Sequence, residues 1–352
     1  MAGPMATTGR VADILKRCWC WFAACCLVLA QTTALAGEEP MSVIVALPGP
    51  GSGPMLPLEL MPRLNFDRLE GIKVTLRFFA GGPPAIKDML TGNSDFAVAG
   101  FPAFAAMHGV EGQAYSVAAV TQTPAYTLMI AQRHMATIRG PHDLAGRTIG
   151  VHTPTKAGQS TARQMAEFIL HTAGISADQV NFVSIGQDYD AYVSAIASGS
   201  VDAIVVNEPS ATKLETEHLA HRLVDLHEPN VARKYMGSLF LYTQLCAREA
   251  TIRAEPEKIR RMVSALRHTL QWIQLNAVQD FVVALGIKDE EQRTILTGAL
   301  ARNKRMYSPD AEFSNEQVRA AERFLRVLEP EQRHPDGWMN AFIDDRWAGR
   351  RQ

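Results

Sequence analysis

Short apolar runs alternate with amphipathic stretches from residue 41 onward. Strands are predicted over residues 41–47 (MSVIVAL), 74–80 (VTLRFFA) and 96–99, since each is a short apolar run bounded by turn residues. Helices are predicted between them, over residues 55–64 and over the residues that lead to Leu90. This order of strands and helices is typical of a parallel sheet covered by helices.

The same order of elements begins again near residue 147. Strands are predicted over residues 148–151, 180–185 and 203–206, and helices over residues 160–174 and 188–197. The first of these helices has a Ser at its start and a Gly at its end, which are the residues that cap helices. The chain therefore contains two similar α/β units.

A ten-residue segment shows the similarity of the two units most clearly. TGNSDFAVAG at residues 91–100 resembles SGSVDAIVVN at residues 198–207, and Gly92 and Gly199 each precede an aspartate, Asp95 or Asp202, by three residues. Two α/β units imply two lobes with a crevice between them. Ligands bind beyond the carboxyl ends of parallel strands. We therefore expect both aspartates at the opposite ends, where the strands begin.

The remaining sequence predicts further strands and a helical tail. Strands are predicted over residues 115–121, 125–132, 222–226 and 239–245. Apolar residues at helical spacing between Ile259 and Ile273 predict a helix with one buried face, which we interpret as a structural brace on the first lobe. Two more helices are predicted, over residues 290–302 and 315–327.

Residues 1–36 have the pattern of a secretory signal peptide. Lys16 and Arg17 precede a charge-free apolar run at residues 18–30, and ALA at residues 34–36 matches a cleavage site. An uncleaved membrane anchor is the alternative, but the run is shorter than the roughly 20 residues that span a bilayer. We expect cleavage and export to a bacterial periplasm.

Composition narrows the classes of partner. The 352-residue chain is 47% hydrophobic and 20% charged, with a net charge of −1, so it has no general attraction to nucleic acid or to anionic membranes. Four of the five cysteines lie in the signal peptide, which leaves Cys246 alone in the exported protein. A single cysteine excludes an intrachain disulfide and a cysteine metal cluster.

The search for catalytic chemistry gives no candidate. The glycine-rich loop at residues 48–54 lacks the spacing of a nucleophile elbow and of a dinucleotide fingerprint, and KAGQS at residues 156–160 lacks the Walker lysine. His218, His221 and His227 lack the pattern of a metal site, and we interpret them as part of a solvated helix face. The sequence predicts no enzyme, no metal and no cofactor.

Five segments, in this order, carry a resemblance to a known family. They are AGGPP at residues 80–84, GNSDFAVAG at 92–100, DLAGRTIGV at 143–151, GSVDA at 199–203 and NEP at 207–209. Together they resemble the solute-binding proteins of ABC importers for nitrate, sulfonates and taurine. A related group of thiamine-pyrimidine precursor proteins shares the outline. The resemblance covers residues 41–330.

The resemblance implies an α/β fold of the periplasmic binding protein type II, with two lobes, a hinge and a ligand cleft. We expect one lobe from residues 37–122 plus 208–352 with its helical tail, and the other from residues 123–207. The chain is expected to cross between them at residues 122–124 and 206–209.

The resemblance also implies which residues contact the ligand. Most come from the loop after the first strand, the AGGPP loop, the start of the helix near residue 160 and the hinge, and Tyr126 and Tyr189 are added for their positions. The ligand-binding set is Gly49, Ser52, Gly53, Gly82, Phe101, Gln122, Tyr126, Ser160, Thr161, Tyr189, Asn207 and Glu208. Lys156, Arg77 or His152 could supply a positive charge. Helix N-termini at these loops would also attract anions.

Three hypotheses for function remain open. The first is a monomeric receptor that closes on a small organic anion, such as a sulfonate, taurine or nitrate, and delivers it to an ABC permease in the inner membrane. The second is a binding or sensor protein for a pyrimidine or an aromatic acid. The third is an enzyme similar to a thiamine-precursor synthase, which the lone Cys246 and the signal peptide argue against.

Overall fold

The computed structural model describes residues 39–49, 53–107, 113–152, 160–329, 331 and 335–351. These residues form two five-stranded sheets covered by helices, and a short two-stranded sheet made by the last two strands. The expected signal peptide lies outside these residues, as do Ser52 and Lys156. The strands are β1 Met41–Pro48, β2 Ile72–Phe79, β3 Phe96–Gly100, β4 Ala114–Ala119, β5 Thr127–Ala131, β6 Thr148–His152, β7 Asn181–Ile185, β8 Ala203–Val206, β9 Ala220–Asp225, β10 Thr243–Arg248, β11 Phe313–Ser314 and β12 Arg350–Arg351.

The helices fall between the strands in the first two thirds of the chain and dominate the last third. They are α1 Leu56–Arg63, α2 Phe66–Leu69, α3 Gly82–Leu90, α4 Phe101–Met107, α5 Thr161–Thr172, α6 Tyr189–Ala197, α7 Ser210–Thr216, α8 Pro229–Met236, α9 Glu249–Ala254, α10 Pro256–Leu275, α11 Val278–Leu285, α12 Glu290–Asn303 and α13 Asn315–Leu328. Short 3₁₀ turns occur at Gly53–Met55, Gln132–His134, Pro141–Leu144, Ala177–Gln179, Lys304–Met306 and Trp338–Phe342.

The two sheets have the same topology. The first has the order β2-β1-β3-β10-β4, and the second has the order β7-β6-β8-β5-β9. In each sheet, three strands that follow one another in the chain are parallel, β1 to β3 in the first sheet and β6 to β8 in the second. The strand beside them, β10 or β5, is antiparallel to them. The predicted α/β fold with two similar units is confirmed.

The chain passes between the sheets at residues 120–126, after β4, and at residues 226–242, before β10. The first position agrees with the sequence prediction, and the second does not. The segment at residues 206–209 leads into α7 and then into β9, which pairs with β5 in the second sheet. The expected lobe boundary at residue 207 therefore leaves β9 in the wrong sheet. This edge strand is only partly buried, so its sequence, AHRLVD, lacks the continuous apolar run of a central strand.

Central strands are covered by helices on both faces. All residues of β5 and β8 are buried, and so are the first four residues of β3, which explains why these segments are continuous apolar runs. The predicted apolar face of α10 is buried as well, and it packs against α1 and α2 beside the first sheet. The interpretation of α10 as a brace is confirmed.

Asp95 and Asp202 lie at the starts of β3 and β8, as predicted. The Asp95 carboxylate accepts a hydrogen bond from the Ile44 amide (2.7 Å), and Asp202 accepts one from the Thr148 amide (2.9 Å), in both cases from the neighbouring parallel strand. The backbone amides of both aspartates return a bond to the same residues. The repeated aspartate therefore joins adjacent parallel strands at the edge where β3 and β8 begin.

Two further findings concern the described part of the chain. None of its helices combines the length and the apolar character that crossing a membrane requires. Within the same residues, no group of three or more histidine, cysteine, aspartate or glutamate side chains is arranged to hold a metal ion.

Replacing Asp95 by alanine is expected to destabilise the fold. Asp95 also pairs with the Lys258 ammonium (2.8 Å), and the Lys258 side chain is only 9% exposed. Asp95→Ala removes this partner and the acceptor of the Ile44 amide, so we expect the free energy of unfolding to fall by about 2 kcal/mol. Urea unfolding at pH 7 measures the change.

Arg260→Ala is the matched control for that experiment, because it breaks an exposed ion pair with Glu257 on the same helix as Lys258. We expect a loss below about 1 kcal/mol. Equal losses in the two variants would contradict the structural role of Asp95.

Candidate functional site

Tyr126 lies at the centre of a polar cluster where the two sheets meet. It ends the first crossing segment and immediately precedes β5, and its hydroxyl lies near the side chains of Tyr242, Asn207 and Thr161. Tyr126 is only 7% exposed, and burial raises the pKa of its phenol, so the hydroxyl stays protonated. We call Tyr126, Thr161, Asn207 and Tyr242 the Tyr126 cluster.

The fold brings these four residues together from separate elements. Asn207 directly follows β8, Thr161 is the first residue of α5, and Tyr242 directly precedes β10. Gly100 ends β3 beneath Tyr242, where an added Cβ would lie 3.3 Å from the tyrosine hydroxyl oxygen. A glycine at this position therefore lets the first sheet approach the cluster closely.

His152 extends the cluster at the end of β6. Its ring lies 6.1 Å from the ring of Tyr126, and its Nε2 is 2.9 Å from the hydroxyl of Tyr192. The Tyr192 hydroxyl donates to the carbonyl of Gln187 (3.1 Å), so it accepts the Nε2 proton. Burial lowers the pKa of His152 to about 4, so the imidazole is neutral at pH 7.

Asn207 presents an unused acceptor in this cluster. The residue is half-buried, and its Oδ1 has no hydrogen-bond partner among the described residues. Such a buried oxygen is costly unless a ligand or a water donates to it. The tyrosine and threonine hydroxyls and the N-terminus of α5 add neutral donors nearby, so the arrangement can bind an oxygen-rich group.

A cavity of about 640 Å³ lies beside the cluster and is lined by Gly53, Tyr189 and Glu208 from the predicted set. Its remaining wall comes from α1, α7, the end of α11 and α12, with the aliphatic residues Leu56, Leu285, Ile287, Ile295, Leu296 and Leu300. We call it the side cavity. Its volume is in the range of cavities that hold small organic molecules.

The carboxylate of Glu208, predicted to contact ligand, is bound by protein groups. One oxygen lies 2.7 Å from Arg222 and accepts from Asn303 (3.0 Å), and the other accepts from the Thr212 amide (3.0 Å). Glu208 is 5% exposed, and a buried carboxylate of this kind requires these partners. It forms part of the cavity wall as a neutralised group.

Arg222 is the buried cation that neutralises this region. It also pairs with Glu215 (3.1 Å) and Asp225 (2.7 Å). Burial acts to raise the pKa of Asp225, but His227 and Arg222 outweigh it and hold that pKa well below its usual range.

The interpretation of His218, His221 and His227 as a solvated helix face is wrong. His221 lies in β9, and His227 is fully buried beside Asp225, because β9 belongs to the second sheet.

Several other predicted residues have structural roles. The Phe101 side chain is fully buried and packs against Phe104 and Phe342, so it is part of the core and does not face a cleft. Ser160 caps α5 by accepting from the Arg163 amide (3.4 Å).

The remaining predicted residues lie at the ends of elements. The Gly49 amide donates a hydrogen bond to the Phe79 carbonyl at the end of the β1–β2 pairing, and Gly82 is the first residue of α3. Gln122, on the first crossing segment, donates to the carbonyl of Arg305 (3.0 Å). Their contact with a ligand stays a prediction.

The predicted set omitted Tyr242, Tyr192 and Arg222. Tyr242 would have followed from the correct position of the second crossing, since it lies just before β10. Tyr192 fits the apolar spacing of a helix, and nothing else in the sequence indicates that it lies at a binding site. Arg222 is a charged residue without a motif around it, so its burial depends on the sheet that β9 joins.

His152 makes the stability of the fold depend on pH. Its folded-state pKa of about 4 lies below the ordinary value of 6.5, so below pH 6.5 the unfolded chain binds a proton that the folded chain does not. Stability is therefore lost as pH falls from 6.5 toward 4. Between pH 7.5 and 5.0, His152→Gln is expected to lose about 2 kcal/mol less than the wild type.

Urea unfolding at the two pH values measures that difference. His142→Gln, at an exposed histidine, is the matched control and should lose as much stability as the wild type. A His152→Gln variant with the wild-type pH dependence would show that the imidazole is not held neutral.

Solved structures with the same fold include several binding proteins. A protein of Bordetella bronchiseptica RB50 is 22% identical with a TM-score of 0.73, over 88% of this chain and 96% of that one. The periplasmic aliphatic sulphonate binding protein SsuA of Escherichia coli is 14% identical with a TM-score of 0.66, over 88% and 98%. The periplasmic nitrate-binding protein NrtA of Synechocystis PCC 6803 is 11% identical with a TM-score of 0.64, over 86% and 84%.

At these identities the structural likeness shows a shared fold, that of periplasmic binding proteins. No protein with a curated description matches the sequence. The family model described as NMT1/THI5 like matches residues 64–277, which are 214 of the 352 residues. The match includes every strand of the two five-stranded sheets except β1, and every residue of the Tyr126 cluster. The chain therefore belongs to the NMT1/THI5-like family.

Proposed function

We propose that the protein is an exported solute-binding receptor that captures a small organic anion between its two sheets. The observation that carries this proposal is the Tyr126 cluster, in which hydroxyl and amide groups from both sheets converge beyond the carboxyl ends of β3 and β8. Ligands of open α/β sheets bind at such ends. The sulphonate- and nitrate-binding neighbours share the fold that supports this arrangement.

The mechanism is binding with closure and without bond chemistry. Thr161 begins α5 and Asn207 directly follows β8 of the second sheet, whereas Tyr242 directly precedes β10 of the first. A ligand that contacts all of them is bound more tightly when the sheets are close together, so it shifts the protein toward the closed state. We propose that residues 41–119 with 243–351 form one lobe and residues 127–225 the other. The monomeric closed form would deliver the solute to an ABC permease.

An aromatic ligand is the second candidate, and the composition of the cluster favours it. Tyr126, His152 and Tyr192 form a series of ring contacts with centroids 6.1 Å apart, and His152 is neutral. The hydrogen-bond partners described for these side chains are uncharged. A planar pyrimidine or an aromatic acid could therefore pack on these rings.

The structure gives less support to the synthase-like enzyme. Cys246, the one cysteine of the expected exported protein, lies in β10 and is fully buried. Burial raises the pKa of its thiol well above the ordinary value, so little reactive thiolate is present at pH 7. We therefore propose binding without catalysis.

A thermal-shift screen tests the choice between an anion and an aromatic solute. The panel contains nitrate, taurine, alkanesulfonates, aromatic sulfonates, aromatic carboxylates and pyrimidine precursors. A ligand that binds the folded state raises the melting temperature by mass action. We expect a sulfonate or a related anion to give the largest shift. Shifts from uncharged pyrimidines alone would favour the second candidate, and no shift from the whole panel would contradict both.

Asn207→Ala tests the site itself. Removing the unused acceptor should raise the Kd for the solute that binds best in the screen by about tenfold. The melting temperature of the free protein should change little. Calorimetric titration measures the affinity. Asn181→Ala, at an exposed asparagine at the opposite end of the second sheet, is the control and should bind as the wild type does. Equal affinity in both variants would remove Asn207 from the site.

A further inference from the structure

The side cavity has a composition that the proposed anion site does not explain. Helices that accompany both sheets form its walls, with α1 and α12 on one side and α7 on the other. α7 and α12 approach closely at Gly298, where an added Cβ would lie 3.3 Å from the Thr212 side chain. The cavity of about 640 Å³ is therefore a defined space between packed helices.

The charges around the side cavity disfavour an anion. Apart from Glu208, which Arg222 neutralises, three carboxylates line it, those of Glu59, Asp289 and Glu291, against the two cations Arg63 and Lys213. Both cations have protein partners. Arg63 donates to the carbonyl of Leu285 (2.9 Å), and Lys213 lies 3.5 Å from Glu291 and 4.4 Å from the ring of Tyr189. A ligand anion would meet excess negative charge.

Asn303 supplies an unused acceptor in the cavity wall. The residue is 3% exposed, and its Nδ2 donates to the Glu208 carboxylate (3.0 Å). A carboxylate only accepts, so this bond fixes the orientation of the amide. Oδ1 is then left without a partner among the described residues. A buried acceptor of this kind is satisfied by a molecule that brings a hydrogen-bond donor.

We propose that the side cavity is a second ligand site, separate from the Tyr126 cluster, for a neutral or cationic organic molecule. Such a molecule has an apolar body that packs against aliphatic residues such as Leu296 and Leu300, and a hydroxyl, amide or ammonium group that donates to Asn303. Because the walls belong to helices of both sheets, its binding stabilises their packing against each other.

Three probes with eight carbons each and different head groups test the proposal, n-octylammonium, 1-octanol and n-octanoate. Calorimetric titration of the protein should detect n-octylammonium, and 1-octanol should displace it. n-Octanoate should displace it at least tenfold less effectively. Failure of n-octylammonium to bind, or displacement by n-octanoate as effective as by 1-octanol, would overturn the proposal.

Leu296→Trp locates the site, because a partly buried residue of α12 is replaced by a larger one that fills the cavity. We expect the affinity for n-octylammonium to fall at least tenfold. Thr297→Trp, the neighbouring residue outside the lining, is the matched control and should bind as the wild type does. If Leu296→Trp fails to fold, Ser210→Trp fills the same cavity from α7. A folded filling variant with wild-type affinity contradicts the assignment.

Competition with the solute found by the thermal-shift screen separates the two sites. We expect that solute not to displace n-octylammonium. Direct displacement of n-octylammonium by it would overturn the claim that the side cavity is a separate site, whereas a failed screen would affect only the proposed anion receptor.

Discussion

The structure depends on the pairing of its two crossing segments, residues 120–126 and 226–242. Val120 and Phe240 donate backbone hydrogen bonds to Thr243 (2.8 Å) and Gln122 (2.9 Å), and Leu226 donates to Tyr126 (3.0 Å). Buried backbone groups need such partners, so neither segment can move far without the other. The same pairing inserts β5 and β10 into their sheets and brings Tyr126 beside Tyr242. The position of the candidate site is a consequence of it.

Several buried charges in the described part of this protein are paired. Arg222 and Glu208 neutralise each other, and Asp95 pairs with Lys258 where β3 of the first sheet begins. Two unused acceptors, those of Asn207 and Asn303, lie at the candidate site and in the lining of the side cavity. Since an unsatisfied buried acceptor costs free energy, these two positions indicate where molecules other than the protein contribute hydrogen bonds.

The pattern of apolar residues predicted most elements of the fold. The central strands and the buried face of α10 follow directly from their apolar spacing, and the repeated Gly-x-x-Asp segment predicted two units with aspartates at the strand starts. At the candidate site, the sequence identified Tyr126, Thr161 and Asn207, which lie together. It misplaced Phe101, which is in the core, and it missed Tyr242.

By itself the sequence determined which segments are strands or helices, which faces are buried, and that the fold consists of two α/β units. These properties depend on residues a few positions apart, and the period of the apolar pattern records them. Only the tertiary structure decided that β9 joins the second sheet, that Glu208 is neutralised by Arg222, and that Tyr242 meets Tyr126. Each of these depends on a pairing between distant segments, and a local pattern does not specify which partner a segment finds.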